Sequence, residues 1–351
     1  MKIIKYLFFL LLIAIIAGAI YIATKDGDYH IEETKIVHAP VPVVFNEVNN
    51  YYNWESWGPW RNESDDIIVQ YNPEIRGEGG GFSWKSNELG DGTIATTKVL
   101  IDNSLEQVVV HNPSFAESRG KMYWKFEEVD EGTKVTLGMS GSQSFKEKLA
   151  YAFKDNSLSQ MLKPRFARTL EKLNSGLLNK MSVYSINVDG VTTHGGGFYM
   201  YTTTASKISQ VPIRMKNMLT QVRNYMELNN ITIQGDPFVL YNSWDEQNDS
   251  AIYSTGIFTP SIVITPSDSD VLNGLQPNQQ VVKTTLKGDH ENLKEAWDRA
   301  YQYIEENNLM VDDESQPFEV YKTDPDSTMN PANWVTEIFI PVTSAPVFEM
   351  E

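Results

Sequence analysis

The sequence predicts an α+β protein in three parts. An N-terminal transmembrane helix occupies residues 1–28. A domain over 29–178 follows, in which a run of antiparallel strands is closed by a long helix. The domain over 183–351 uses a strand–helix–strand–strand unit twice. Three observations carry this reading: an uncharged apolar stretch near the N-terminus, alternating polar and apolar runs separated by turn residues, and a helical stripe that recurs with the same neighbours in the same order.

No charged residue lies between Lys5 and Lys25, and Tyr6 to Thr24 is dominated by Leu, Ile, Ala and Phe. At ~1.5 Å per residue this stretch makes a helix ~28 Å long, close to the ~30 Å hydrocarbon thickness of a bilayer. Lys2 and Lys5 precede it, which predicts a cytoplasmic N-terminus and soluble domains on the extracytoplasmic side. A cleaved secretory signal is the rival, since Ala17-Gly18-Ala19 offers small residues for cleavage. The apolar stretch is longer than the ~7–15 residues of a signal core, which favours a single-pass anchor through residues 6–24.

Lys and Arg number 29 against 46 Asp and Glu, a net charge of −17. Such a surface repels phosphate backbones and argues against a nucleic-acid partner. The absence of cysteine excludes disulfides, thiol catalysis and thiolate metal sites. The five histidines are scattered without ligand spacing, so neither a metal nor another cofactor is expected.

In the first soluble segment Ile31 to His38 reads as a strand, and Pro40 and Pro42 open a helix running through Asn49. Short strands follow from Asp66 to Gly141, with Asp91-Gly92 and Glu131-Gly132 as hairpin signals. Ser144 to Leu178 reads as one long helix with a kink or break at Pro164. A curved sheet around a long helix leaves an apolar cavity between them. Val37-His38-Ala39-Pro40, Val44-Phe45 and Trp54-Glu55-Ser56-Trp57-Gly58-Pro59-Trp60, then Gly77-Glu78-Gly79, Trp84 and Gly90-Asp91-Gly92, resemble the START-like polyketide-cyclase/SRPBCC family over about 31–178. The resemblance implies a helix-grip fold with a hydrophobic ligand cavity. Trp57 and its neighbours are candidates for the cavity mouth, with ordinary core packing as the alternative.

The second segment repeats itself. Met215, Met218, Leu219, Val222, Tyr225 and Met226 form the apolar stripe of a helix, and Leu293, Ala296, Trp297, Ala300, Tyr303 and Ile304 repeat it. Pro237-Phe238 through Tyr241 then matches Pro317-Phe318 through Tyr321, and Ile257-Phe258-Thr259-Pro260 matches Ile338-Phe339-Ile340-Pro341. Shared order of helix and two strands indicates duplication. Two such units pair about a pseudo-twofold axis with a cleft between the halves.

Gly195-Gly196-Gly197-Phe198-Tyr199 and Trp334-Val335-Thr336-Glu337-Ile338-Phe339-Ile340-Pro341-Val342 make this segment similar to the GyrI-like (AraC-type) effector-binding domain over about 183–343. The resemblance implies a sensor of small molecules in which a glutamate of the last strand meets cationic aromatic ligands. The matching residue is Glu337, with Gly256 as its counterpart in the first half. Alternation places Val335, Glu337 and Phe339 on one strand face. A carboxylate between apolar neighbours needs a partner, and a bound cation would be one; an edge glutamate pointing to water is the alternative. Tyr199, Tyr241, Tyr253 and Trp334 are candidates for cation–π walls or for core.

No helix-turn-helix precedes this domain, which argues against direct DNA contact. Neither Gly-x-Ser-x-Gly, His-Glu-x-x-His nor a P-loop is present. The resulting expectation is a membrane-anchored binding protein for hydrophobic small molecules, cationic ones among them. The alternatives are a hydrolase of small electrophiles with Glu337 as general base, and an envelope scaffold with unused pockets.

Overall fold

The computed structural model of the chain describes residues 2–59, 64–112, 117–152 and 157–344. It divides into two compact units, Met1–Lys180 and Met181–Glu351.

The first unit begins with α1 (Lys2–Thr24), which leaves nearly all its apolar side chains exposed and buries Ile22. By length and composition α1 can cross a membrane, a test that a secretory signal passes equally. After it come β1 (Asp28–Val37), α2 (Val41–Asn49) and α3 (Trp54–Trp57). Six strands follow: β2 (Ile68–Tyr71), β3 (Gly81–Lys85), β4 (Asp91–Leu100), β5 (Ser104–Asn112), β6 (Ser118–Val129) and β7 (Gly132–Ser142). The unit ends with α4 (Phe145–Ala152) and α5 (Leu158–Met181). All seven strands form one antiparallel sheet in the order β1-β7-β6-β5-β4-β3-β2, so the first strand closes against the last.

Two expectations about local structure are corrected. Asp91-Gly92 is the start of β4 and not a turn. The chain reverses just before it, where Gly90 takes φ +83°, and Gly92 is needed because a Cβ there would lie 2.0 Å from the Trp84 ring. The long helix is two helices, and Pro164 lies inside the second without ending it. Burial of Leu162 and Phe166 on either side of Pro164, and of Leu170, Leu173 and Leu177 beyond, offsets the hydrogen bond that proline removes. Residues 153–156, which the expected helix spans, lie outside the described residues.

Trp54, Trp57, Trp84 and Trp124 of the first unit are core. Trp57 is 1% exposed and its indole N–H donates to Glu47 Oε1 at 2.9 Å, while Lys180 Nζ neutralises the same carboxylate at 2.7 Å. Trp57 therefore does not line a cavity mouth. Trp60, the last residue of its motif, lies outside the described residues. A pocket between Tyr51, Trp54, Tyr71, Phe82 and Trp84 measures ≈ 20 Å³, space for about one water and far below the ~300 Å³ of a small ligand site. Deeper in, Gln107 links one of these rings to Trp124: its amide donates to Tyr51 Oη at 2.8 Å and its carbonyl accepts from Trp124 Nε1 at 3.1 Å.

The second unit contains β8 (Ser185–His194), β9 (Gly197–Ser206), α6 (Val211–Leu228), β10 (Pro237–Asp245) and β11 (Ser250–Thr259). After these come β12 (Leu272–Gln276), β13 (Gln279–Lys287), α7 (Leu293–Glu306), β14 (Leu309–Val311), β15 (Phe318–Tyr321) and β16 (Val335–Ser344). The main sheet runs β12-β9-β11-β10-β15-β16-β13-β8. This order is a palindrome of the repeat: β9, β10 and β11 correspond to β13, β15 and β16, and the two halves meet where β10 pairs with β15. There Phe238 faces Val320, Val239 faces Glu319 and Leu240 faces Phe318. The pseudo-twofold thus passes through the Val239–Glu319 pair.

Both helices cover one face of this sheet through the predicted stripes, burying Met218, Val222 and Met226 from α6 and Ala296, Ala300 and Ile304 from α7. The hydrogen-bond register corrects one equivalence. Leu240 pairs with Ser254, and its counterpart Val320 pairs with Glu337, so Glu337 corresponds to Ser254 and not to Gly256. Gly256 corresponds to Phe339. The slip is two residues, which preserves the strand face and so leaves no trace in the alternation of the sequence.

Gln107→Leu is expected to destabilise the protein by about 1–3 kcal/mol, because it strands the buried Trp124 N–H and removes a partner of the Tyr51 hydroxyl. A lowered denaturant midpoint at unchanged slope in chemical unfolding checks this; an unchanged midpoint would show that the polar link contributes nothing.

Candidate functional site

All four residues of β15 are buried, because the strand lies between β10 and β16 at the centre of the sheet. Alternation turns Phe318 and Val320 away from the helices and Glu319 and Tyr321 toward them. Glu319 is therefore a carboxylate placed at the middle of the helix-covered face, 1% exposed.

Three donors converge on it. Tyr241 Oη donates to Oε2 at 2.9 Å, Tyr321 Oη donates to the same oxygen at 2.5 Å, and Trp297 Nε1 of α7 donates to Oε1 at 2.6 Å. Tyr241 and Tyr321 are equivalent positions of the repeat, so the pseudo-twofold brings one hydroxyl from each half onto one carboxylate. The symmetry is broken at the axis alone, where Val239 stands opposite Glu319.

Among the described residues no lysine, arginine or histidine pairs with Glu319. Removing a carboxylate from water costs several kcal/mol, and each charge-assisted hydrogen bond returns about 1.5–3 kcal/mol. Burial wins: it holds the Glu319 carboxyl above the usual carboxylate range, against the pull of the Tyr321, Trp297 and Tyr241 hydrogen bonds. Burial and the neighbouring carboxylate together push the Tyr241 and Tyr321 hydroxyls well above the ordinary tyrosine value, so both remain donors.

Aromatic side chains extend outward from this group. Tyr241 meets Trp297 at 5.8 Å and Trp244 at 5.5 Å between ring centroids, and Trp297 stacks on Tyr301 at 6.1 Å. Trp244 and Tyr301 are exposed. On the other side the His290 ring lies 5.2 Å from Tyr321 and 4.8 Å from Trp334. The arrangement is an acid at the bottom of an aromatic surface that reaches solvent. Electron-rich ring faces and an uncompensated carboxylate attract a cation and repel an anion.

The residues singled out from sequence fall into three places. Tyr241 and Tyr253 face the helices with Glu319; Tyr241 touches it, whereas Tyr253 is fully buried in the core beneath α6. Trp334 joins at one remove, through His290, with its indole N–H held by the Thr328 carbonyl at 2.5 Å. Glu337 and Tyr199 lie on the opposite face, and the missing partner of Glu337 is supplied by the chain itself: Lys283 Nζ sits 2.7 Å from its carboxylate. Tyr199 packs there against Phe238 and Phe258. Glu319, Tyr321 and Trp297 were not anticipated as site residues. The available signal was the Pro317-to-Tyr321 match itself, in which a glutamate stands where the first half has Val239.

Among solved structures the chain is similar to the C-terminal domain of EcmrR, at 16% identity over 46% of this chain and 99% of that one, with a TM-score of 0.40. An EcmrR–DNA complex gives 16% identity, 58% and 78% coverage and a TM-score of 0.40. Protein MLL2253 from Mesorhizobium loti gives 15% identity, 42% and 98% coverage and a TM-score of 0.32. No curated protein matches the chain. Residues 29–178, where the sequence resembles the START-like family, lie outside the family match. That match covers residues 201–343, which hold every group around Glu319, and identifies this part of the chain as a GyrI-like small molecule binding domain.

Proposed function

We propose that the chain is a membrane-anchored receptor for hydrophobic cations, held by α1 and binding its ligand in the second unit with Glu319 as counter-ion. One observation carries the reading: a buried carboxylate held by three neutral donors and, among the described residues, by no cation, beneath aromatic side chains that reach solvent. The GyrI-like match over the same residues supports small-molecule binding as its purpose. A net charge of −17 argues against a role on DNA. The START-like reading of the first unit rests on its motifs and on a sheet whose first strand closes against its last.

Glu337 is ion-paired on the other face, so the counter-ion role passes to Glu319. A second reading has a specific observation behind it. The Tyr–Glu contacts at Glu319 are the kind of pair that a small-electrophile hydrolase would use, with the carboxylate as base.

For the full-length protein in lipid nanodiscs, Glu319→Gln is expected to weaken binding of tetraphenylphosphonium at least tenfold, about 1.4 kcal/mol, and to leave a neutral aromatic of similar size within twofold. Glu337→Gln is expected to change neither. Equal loss for cation and neutral ligand, or loss with Glu337→Gln alone, would sink the assignment. Turnover of an activated ester that disappears with Glu319→Gln would move the account to the hydrolase, and neither binding nor turnover would leave a scaffold.

Stability gives an independent check. Because burial raises the Glu319 value above its unfolded one, the native chain keeps a proton that the unfolded chain has already released. The contribution of this group is complete below the unfolded value and falls as pH rises through the folded one. Glu319→Gln removes that slope, so the variant should gain on the wild type in urea midpoints as pH rises above the ordinary glutamate range. A difference that is flat with pH would contradict the raised value.

A further inference from the structure

The junction between α1 and the first unit has almost no slack. Three residues, 25–27, separate the end of α1 from β1, a reach of at most about 10 Å. Both ends of that link are fastened to the segment that leads into α4. The Lys25 carbonyl accepts from Lys148 Nζ, the Gly27 carbonyl accepts from the Gln143 N–H at 2.8 Å, and Asp28 pairs with Ser142. Gly27 itself is packed too closely for a side chain, since a Cβ would lie 2.8 Å from the Gln143 carbonyl oxygen. Where α1 ends, α4 is therefore fixed beside it.

α4 is amphipathic in the reverse sense to a core helix. Ser144 and Glu147 cap its N-terminus reciprocally, the Ser144 N–H donating to Glu147 Oε2 at 2.8 Å and the Glu147 N–H donating to Ser144 Oγ at 3.3 Å. This turns the one acidic side chain of the helix inward, to 5% exposure. The outward face carries Phe145, Leu149 and Ala152, at i, i+4 and i+7, with Phe145 45% and Leu149 39% exposed. Lys146 and Lys148 flank that face. At the end of α1, exposed Tyr21 lies under Lys25 Nζ at 4.9 Å from its centroid, the aromatic–basic pairing suited to a membrane–water boundary.

We propose that α4 is a second membrane contact: an interfacial helix that seats Phe145 and Leu149 in the headgroup–acyl boundary, with Lys146 toward lipid phosphates. The occupant of this exposed apolar face is the same bilayer that α1 crosses, because the two helices are joined within one short fastened link. An apolar face flanked by lysines is the composition of helices that lie in that plane. The first unit is then pinned on the surface rather than carried on a stalk. The proposal rests on the reading of α1 as an anchor.

The chain has no cysteine, so single cysteines can be labelled selectively. An environment-sensitive fluorophore is placed at Leu149→Cys, Ala152→Cys, Ile13→Cys or Glu131→Cys in the full chain, in liposomes doped with nitroxide lipids. Glu131 lies in the β6–β7 turn, at the far end of the sheet from Ser142. Labels at 13, 149 and 152 should lose at least half of their fluorescence and the label at 131 should keep it. Adding Phe145→Glu should at least halve the quenching at 152 and leave 13 unchanged. Quenching at 13 without quenching at 149 and 152 would overturn the interfacial helix while sparing the anchor. No quenching at 13 would overturn both.

Discussion

A carboxylate with 1% of its surface in water and, among the described residues, no cation beside it is the constraint around which the second unit is arranged. Glu319 is tolerable where it stands because β15 is central, because α7 supplies an indole donor, and because duplication supplies two tyrosines where one domain half would supply one. Gene duplication alone makes symmetric sites, and a symmetric pair of carboxylates on the axis would repel. Val239 opposite Glu319 solves this: the hydroxyls are doubled and the charge is single. Burial raises the affinity of this carboxyl for a proton, and under the proposed function a bound cation would take that proton's place.

Much of the second unit was legible in the sequence, for a physical reason. The stripes ending in Met226 and Ile304 are set by helix periodicity, and each buries the face it predicts. The axis was present as well, in the alignment of Tyr241 with Tyr321. What the sequence concealed was depth. Alternation separates Glu337 from its neighbours Thr336 and Ile338, but it does not say which face carries helices or that Lys283 sits across from Glu337. Glu319 looked like an ordinary strand glutamate, since nothing local records that β15 has a strand on either side and a helix above.

The first unit shows the opposite pattern. Its strand run and closing helix follow from turn residues and periodicity, yet three local signals misled because packing overrode them. Gly92 exists to admit the Trp84 ring rather than to make a turn. Pro164 is carried by a helix whose stripe is buried on both sides of it. Trp57, conspicuous in the sequence, is a core residue bonded to buried Glu47, which Lys180 pairs from the surface. In each case tertiary contacts outweighed a preference worth a few kcal/mol at most. The unit's outward features lie at the α1–α4 junction, where a capping box hides the acidic side chain and leaves the apolar ones in view.

The central claim is that Glu319 is a counter-ion in waiting, and proton release measures it most directly. A cation bound beside a carboxyl whose affinity for protons is raised must lower that affinity. Calorimetric titration of the full-length protein with tetraphenylphosphonium, in buffers of different ionisation enthalpy and at a pH just below the raised Glu319 value, counts the protons expelled. The account predicts up to one proton released per cation bound by the wild type and none by Glu319→Gln. Binding without proton release, or with equal release from both proteins, would contradict it.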